Sequence, residues 1–332
     1  MSAAETTTAK VPPARRDPRP GGESGKPPRG PARKRSAGQA AVPWALLAPC
    51  LLALALVLGY PLVRLVTLSF QKFGQPQLWG FKDPESVGFD NFTNVLSDSE
   101  FWTVVVRTVL FAFTAVVLTM VLGMLIALLL QRVSGWVKTL VNVALVASWG
   151  MPIVVAITIF KWMFDSDFGV LNWLLSQVPG VDMIGHNWFA SGTQGLAVIM
   201  LLVVWGAVPF VVITLSAGLT QVPKELEEAA RLDGAGGWGV FRHVTLPILK
   251  PIIVMLATLS VIWDMGVFPQ VFVMRGNHPE PEFQLLTTYS YDKAFAVNDY
   301  SQGSAIALLT VLLLLGVIAV YMRQMLKIGD VE

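Results

Sequence analysis

The chain has 332 residues, of which 54% are hydrophobic and only 14% charged, with a formal net charge of +2. A water-soluble domain carries about a quarter charged residues, and a mean hydropathy of +0.60 points away from one, so a soluble globular fold is excluded and the bilayer is the natural solvent. The lone cysteine, Cys50, rules out an internal disulfide or a cysteine-based zinc site and reads as a small apolar side chain in an apolar run.

From the N-terminus, residues 1–42 are unlike the rest. Pro12-Pro13-Ala14-Arg15-Arg16 through Pro27-Pro28-Arg29-Gly30-Pro31 is rich in Pro, Gly and Arg and has no apolar periodicity. Such a segment cannot bury enough surface to offset its chain entropy, so a disordered basic tail is predicted. It does not fit a signal peptide, because its polar part is too long and the apolar run after it has spanning length without a clear cleavage site.

Six apolar segments follow, near 43–70, 102–131, 137–163, 195–219, 248–273 and 304–323. Each supplies the ~20 residues that cross a hydrocarbon core of about 30 Å, and each must be helical because lipid offers the backbone no partner. Pro43, Pro49, Pro61, Pro152 and Pro209 predict helix starts or kinks. The expected fold is all-α and polytopic. The tail (1–42) precedes a first helix with its outer loop (43–101) and a five-helix core (102–325).

Orientation follows from Lys and Arg. The tail holds Lys10, Arg15, Arg16, Arg19, Lys26, Arg29, Arg33, Lys34 and Arg35, and the 132–136 and 220–247 connections and the C-terminal end add Arg132, Lys224, Arg231, Arg242, Arg323 and Lys327. The opposite loops (71–101, 164–194, 274–303) hold Lys72, Lys82, Arg275 and Lys293 against a larger number of acids. The positive-inside rule predicts both termini in the cytoplasm of a multi-pass cell-membrane protein. The aromatics of the outer loops, such as Trp79, Phe89, Trp173, Trp188 and Tyr300, read mainly as an interfacial belt.

Between the fourth and fifth segments lies a polar elbow, residues 220–247. Pro223 suits the first turn of a helix, and Glu225, Glu227 and Glu228 follow where the helix dipole favours negative charge. Gly234, Gly236 and Gly237 can end that helix, and a second short helix is expected to stop against Pro247. Glu228-Ala229-Ala230, then Asp233-Gly234, then Val244-Thr245-Leu246-Pro247 resembles the cytoplasmic signature of binding-protein-dependent ABC importer permeases. Further matches are Val87 through Phe92 with Glu100-Phe101-Trp102, Phe160 through Phe164 with Phe168 through Asn172, and Tyr289 through Phe295. These are similar to carbohydrate-uptake permeases of the maltose-transporter type over roughly residues 45–325. Arg107, where the family usually has Asn, and Arg275-Gly276-Asn277-His278-Pro279, in place of a Thr-x-Gly-Gly-Pro turn, depart from the pattern.

The resemblance implies the type I ABC importer transmembrane fold. It also implies a second homologous permease, a cytoplasmic ABC ATPase dimer, an extracytoplasmic sugar-binding protein and a di- or oligosaccharide substrate. Glu228, Ala229, Ala230, Asp233, Gly234, Leu246 and Pro247 would dock on the ATPase. Ser260, Trp263 and Asp264 fall where the maltose permease has Ser, Phe and Asn in contact with sugar. Phe210 falls on a contacting Tyr, and Val203 replaces a contacting Asn.

The residues themselves agree in part. Arg64, Arg107, Lys161 and Asp264 are the charges inside apolar spans, each costing ~2.5–3.5 kcal/mol at mid-membrane unless it faces protein or water. Arg64 and Lys161 can snorkel; Asp264 is too short to do so. Ser260, Trp263 and Asp264 lie at i, i+3 and i+4, which places a hydroxyl, a ring and a carboxylate on one helix face. That set suits a sugar, or alternatively plain helix packing.

Gly234-Ala235-Gly236-Gly237-Trp238-Gly239 matches the dinucleotide glycine pattern but follows a helix, and Gly25-Lys26 lacks the flanking Gly and Ser/Thr of a phosphate loop. ATP must then be handled by a partner, so the chain is expected to be a transport subunit and no enzyme. His186, His243 and His278 read as surface residues rather than metal ligands. No metal, cofactor or nucleic-acid partner is implied, and lipid is the surrounding medium. An ion-coupled secondary transporter is the alternative reading. It would call for paired ionisable residues and repeated halves.

Overall fold

The computed structural model describes residues 37–329. The expected tail therefore lies largely outside the described residues, although helix is already formed at Ala37 rather than at residue 43. The chain divides into a unit ending at Val57 and one beginning at Leu58. The first holds α1 (Ala37–Leu54). Its Leu46, Leu52 and Leu56 are more than half exposed, the mark of a helix that is apolar all round.

The second unit starts with α2 (Tyr60–Ser69), the short α3 (Gln75–Leu78) and α4 (Asp90–Ser97). A minimal antiparallel pair, Gln71–Lys72 with Glu85–Ser86, is the described β-structure besides one isolated bridge. Helix α5 (Ser99–Leu130) begins where the Asp98 carboxylate accepts from the Glu100 N–H at 2.9 Å, capping one of the orphan donors of its first turn.

Helices α6 (Gly135–Trp149) and α7 (Ile153–Met163) replace the single span expected at 137–163; they bend by 100° across Gly150-Met151-Pro152. Pro152 lacks an N–H and disfavours helical backbone at Met151, so the run breaks instead of curving. Among the described residues, five helices are long and apolar enough to cross a bilayer, and the bent pair supplies a sixth crossing if it counts as one.

After α8 (Val170–Leu175), α9 (Gly192–Leu219) carries Pro209 inside it and leads to the elbow helix α10 (Lys224–Leu232). The expected stop at Pro247 is not there. Helix α11 (Gly237–Val240), a π-type turn (Phe241–Thr245) and α12 (Leu246–Met265) run on as one continuous rod. In the π turn the Leu246 N–H reaches the Phe241 carbonyl, so the ladder is already shifted where the missing N–H of Pro247 would break it. The rod ends at Gly266, and α13 (Pro269–Met274) is separate. The expected span 248–273 is therefore shifted towards the elbow. Helices α14 (Leu286–Tyr291) and α15 (Tyr300–Gly329) complete the fold, with a further π-type turn at Asp292–Ala296.

The core lies where α5 packs along α9. A Cβ added at Gly123 would meet Val211 Cγ1 at 2.5 Å, the close backbone approach that membrane helices obtain from small residues. At the far end of α9 and α12 from the elbow, the 275–293 segment is pinned to α5. Arg107 Nη1 donates to the carbonyls of Pro281 at 2.6 Å and Gln284 at 3.0 Å, and Thr108 Oγ accepts from the Leu286 N–H at 2.9 Å. Arg107 thus faces protein, as a charge in a span must. Tyr289 Oη donates to Asp98 Oδ2 at 3.1 Å. Burial first, then Asp98 and Glu100, push the Tyr289 phenol above its ordinary value and keep it a donor. Arg64 and Lys161 are exposed.

Candidate functional site

At the elbow, Pro223 is the N-cap of α10 rather than its first residue. Gly234 has φ +87, and the Ala235 N–H bonds the Ala230 carbonyl at 2.9 Å while the Gly234 N–H bonds Arg231 at 3.1 Å. This is a left-handed helix stop that glycine adopts without strain. Glu227 turns inward, with Thr245 Oγ1 within 3.5 Å, and lies 3.9 Å from Arg231. Glu228, Ala229 and Asp233 are exposed, as are Leu246 and Pro247. Around them, Leu232 is 89% and Trp238 72% exposed. The elbow thus presents a mixed surface of acidic, basic and apolar side chains that no described residue covers. Of the residues expected to act here, Ala230 is the half-buried one, and its carbonyl takes part in the stop.

The second group lies along α9 and α12. Phe210 sits next to Pro209, and its ring is 5.5 Å from that of Trp263. On its other side it stacks on Trp149, 6.0 Å away at 23°. Trp149 ends α6 at the 100° break. Sequence reasoning passed over it, although an aromatic directly before Gly-Met-Pro marks a ring held at a forced turn.

Trp263 is 45% exposed, whereas Ser260 and Asp264 are each 3% exposed. The expected shared face is therefore split. Ser260 and Asp264 turn into the protein and Trp263 turns out, since successive helical side chains diverge by about 100°. Asp264 Oδ2 has no hydrogen-bond partner among the described residues, and a buried acceptor left so is costly. Val203 is buried in the core beside Ile199 and Phe160. Together the group offers ring faces to an apolar surface and a buried carboxylate to hydroxyl donors.

The model of the family described as "Binding-protein-dependent transport system inner membrane component" matches residues 119–327. That stretch contains the elbow and all the rings just described. The chain belongs to this family. It is 42% identical to the diacetylchitobiose uptake system permease protein DasB of Streptomyces coelicolor, over 89% of this chain and 90% of the relative. The trehalose/maltose transport system permease protein MalF of Thermococcus litoralis is 32% identical, over 71% of this chain and 79% of the relative. The crystal structure of a bacterial alginate ABC transporter, solved with an alginate pentasaccharide-bound periplasmic protein, has a subunit that superposes with a TM-score of 0.70 at 18% identity, covering 88% of this chain and 96% of that one. This shows the shared type I fold. The chain is a multi-pass inner-membrane permease subunit and no enzyme, and the ion-coupled alternative is set aside.

Proposed function

We propose that this permease carries a di- or oligosaccharide and that Trp149, Phe210 and Trp263, with Asp264 and Ser260 behind them, contact it on the way through. The observation that carries the reading is the three-ring cluster, with centroid spacings of 6.0 and 5.5 Å; the residue after Trp263, turned into the protein, adds a buried carboxylate oxygen that lacks a partner. A pyranose presents an apolar face to rings and hydroxyls to an acceptor. The names of the relatives, which concern diacetylchitobiose, trehalose and maltose, support the same substrate class.

In this reading both termini are cytoplasmic and the exposed elbow docks on an ABC ATPase dimer. A second, homologous permease completes the pathway, and an extracytoplasmic sugar-binding protein delivers the substrate. ATP-driven closure of the ATPase pair then alternates access. The uncovered Leu232 and Trp238 side chains support docking at the elbow. The test is uptake of labelled N,N′-diacetylchitobiose, maltose and trehalose by cells producing the permease with its three partner proteins. Transport of one of them that stops when the ATPase is omitted is the expected result; transport of none removes the sugar reading.

A further inference from the structure

A second row of rings lies beyond the end of α12. Phe268 is 5.2 Å from Tyr291, Tyr291 is 4.8 Å from Phe295, and Phe295 is 5.7 Å from Tyr300. All four line one cleft of about 440 Å³, together with the hydroxyl-bearing Thr287 and Ser290. These hydroxyls donate to the Val267 carbonyl at 2.6 Å and the Gly303 carbonyl at 2.9 Å, so each keeps oxygen lone pairs for a further donor. Tyr291 and Phe295 are 38% and 56% exposed. Phe295 stands on the π-type turn Asp292–Ala296, and such turns are frequent at functional sites.

The row does not end in an apolar surface. Tyr300 meets Phe73 at 6.1 Å, and Phe73 is on the wall of a second cleft of about 660 Å³. That cleft is lined by polar residues including Lys72, Asp90, Asn94, Asn298, Asp299 and Gln302. The junction is fixed, because the Phe73 N–H donates to Ser301 Oγ at 2.6 Å and the Ser301 N–H to the Phe73 carbonyl at 3.3 Å. Ring faces that lead into charged and amide side chains suit a solute with one apolar and one hydroxylated side. An acyl chain would have no use for the polar half.

We propose that the row Phe73, Tyr300, Phe295, Tyr291 and Phe268 is a second saccharide-binding track, at the end of the helices opposite the elbow, separate from the Trp149–Phe210–Trp263 cluster. The inference rests on the sugar reading above. Substrate enters at the polar cleft, slides from ring to ring and leaves at Phe268, close in the chain to Trp263. Stacking suits a track because each ring holds the sugar weakly and neighbours exchange it without a deep trap.

The experiment uses the full complex with its partners in proteoliposomes and a diazirine-bearing N,N′-diacetylchitobiose or maltose, whichever the wild type transports. Photolysis should label peptides within 287–304, and Phe295→Leu should abolish that label while Trp263→Ala leaves it. At saturating sugar, Tyr291→Leu/Phe295→Leu should transport about tenfold more slowly, and Phe295→Trp should stay within about twofold of wild type. Equal transport by the leucine variant at normal abundance, or no label in 287–304, overturns the track. Loss that tracks bilayer composition, with no label, identifies the rings as an interfacial lipid anchor and also overturns it. A wild type that carries saccharide normally while the row proves inert leaves the sugar reading standing. A wild type that carries none removes both.

Discussion

Asp264 carries the most exacting chemistry in the chain. A carboxylate 3% exposed, with one oxygen unpartnered, lacks an acceptor's usual compensation, and a sugar hydroxyl would supply it. Asp264→Ala should lower uptake about ten- to a hundredfold, on the scale of one or two hydrogen bonds to a charged group. Asp264→Asn should retain part of the activity, since an amide oxygen still accepts. Equal loss in both variants would argue that the carboxylate's charge, and not its acceptor, matters. Trp149→Ala should cut transport at unchanged abundance, and Trp149→Phe should recover most of it, read as initial uptake rates. The spacing of Ser260, Trp263 and Asp264 was legible in the sequence, but the split between exposed ring and buried acid was not. That split depends on which helices flank α12. The role of Trp149 was illegible because it reaches Phe210 on α9 from the end of α6, just before the 100° break, and single-sequence periodicity carries no such contact.

At the scale of elements, the elbow is the part most plainly written in the sequence. Pro223, the acids after it and Gly234 mark the ends of α10 by local chemistry that needs no tertiary context, whereas Pro247 marks none. Glu228 is exposed on α10, so Glu228→Lys should insert at normal abundance yet abolish uptake; wild-type transport by that variant would detach Glu228 from coupling. Gly234→Ala should weaken the helix stop by ~1 kcal/mol, because its φ of +87 strains an L-residue, and hydrogen exchange across 230–240 would report it. The π turn at Phe241–Thr245 was hidden because a run of apolar and polar residues does not distinguish a five-residue ladder step from a stop at proline. In the far segment, Arg275 donates to Glu280 at 2.9 and 2.5 Å, and that hydrogen bond holds the Glu280 carboxyl below its ordinary value of 4.5. A depressed folded value means the pair's contribution is present above pH 4.5 and is lost as the pH falls through the folded value. Exchange in 275–285 should rise on acidification below that point, and Glu280→Gln should flatten the change.

For the whole molecule, charge asymmetry is what predicts the orientation, which packing does not encode. In a variant without Cys50, single cysteines at Ser86 and Ser191, both exposed, should react with an impermeant reagent from outside. Those at Ser134 and Lys224, also exposed, should react only after permeabilisation; labelling of Lys224→Cys in intact cells would invert the topology. Ser301 looks equally suitable in the sequence but is 2% exposed and clamped to Phe73, so Ser301→Cys should stay unlabelled. The continuous rod from Gly237 to Met265, which the sequence reading had cut at Pro247, has a mechanical consequence. Its 29 residues form a lever arm of about 43 Å at 1.5 Å per residue. One end of the lever is the elbow, and the other carries Trp263. A tilt of roughly 10° imposed at Gly237 would sweep the Trp263 ring through about 7 Å, more than its present distance from Phe210. The torque reaches the ring through one continuous run of helix, whose places of give are the π-type turn at Phe241–Thr245 and the proline at Pro251.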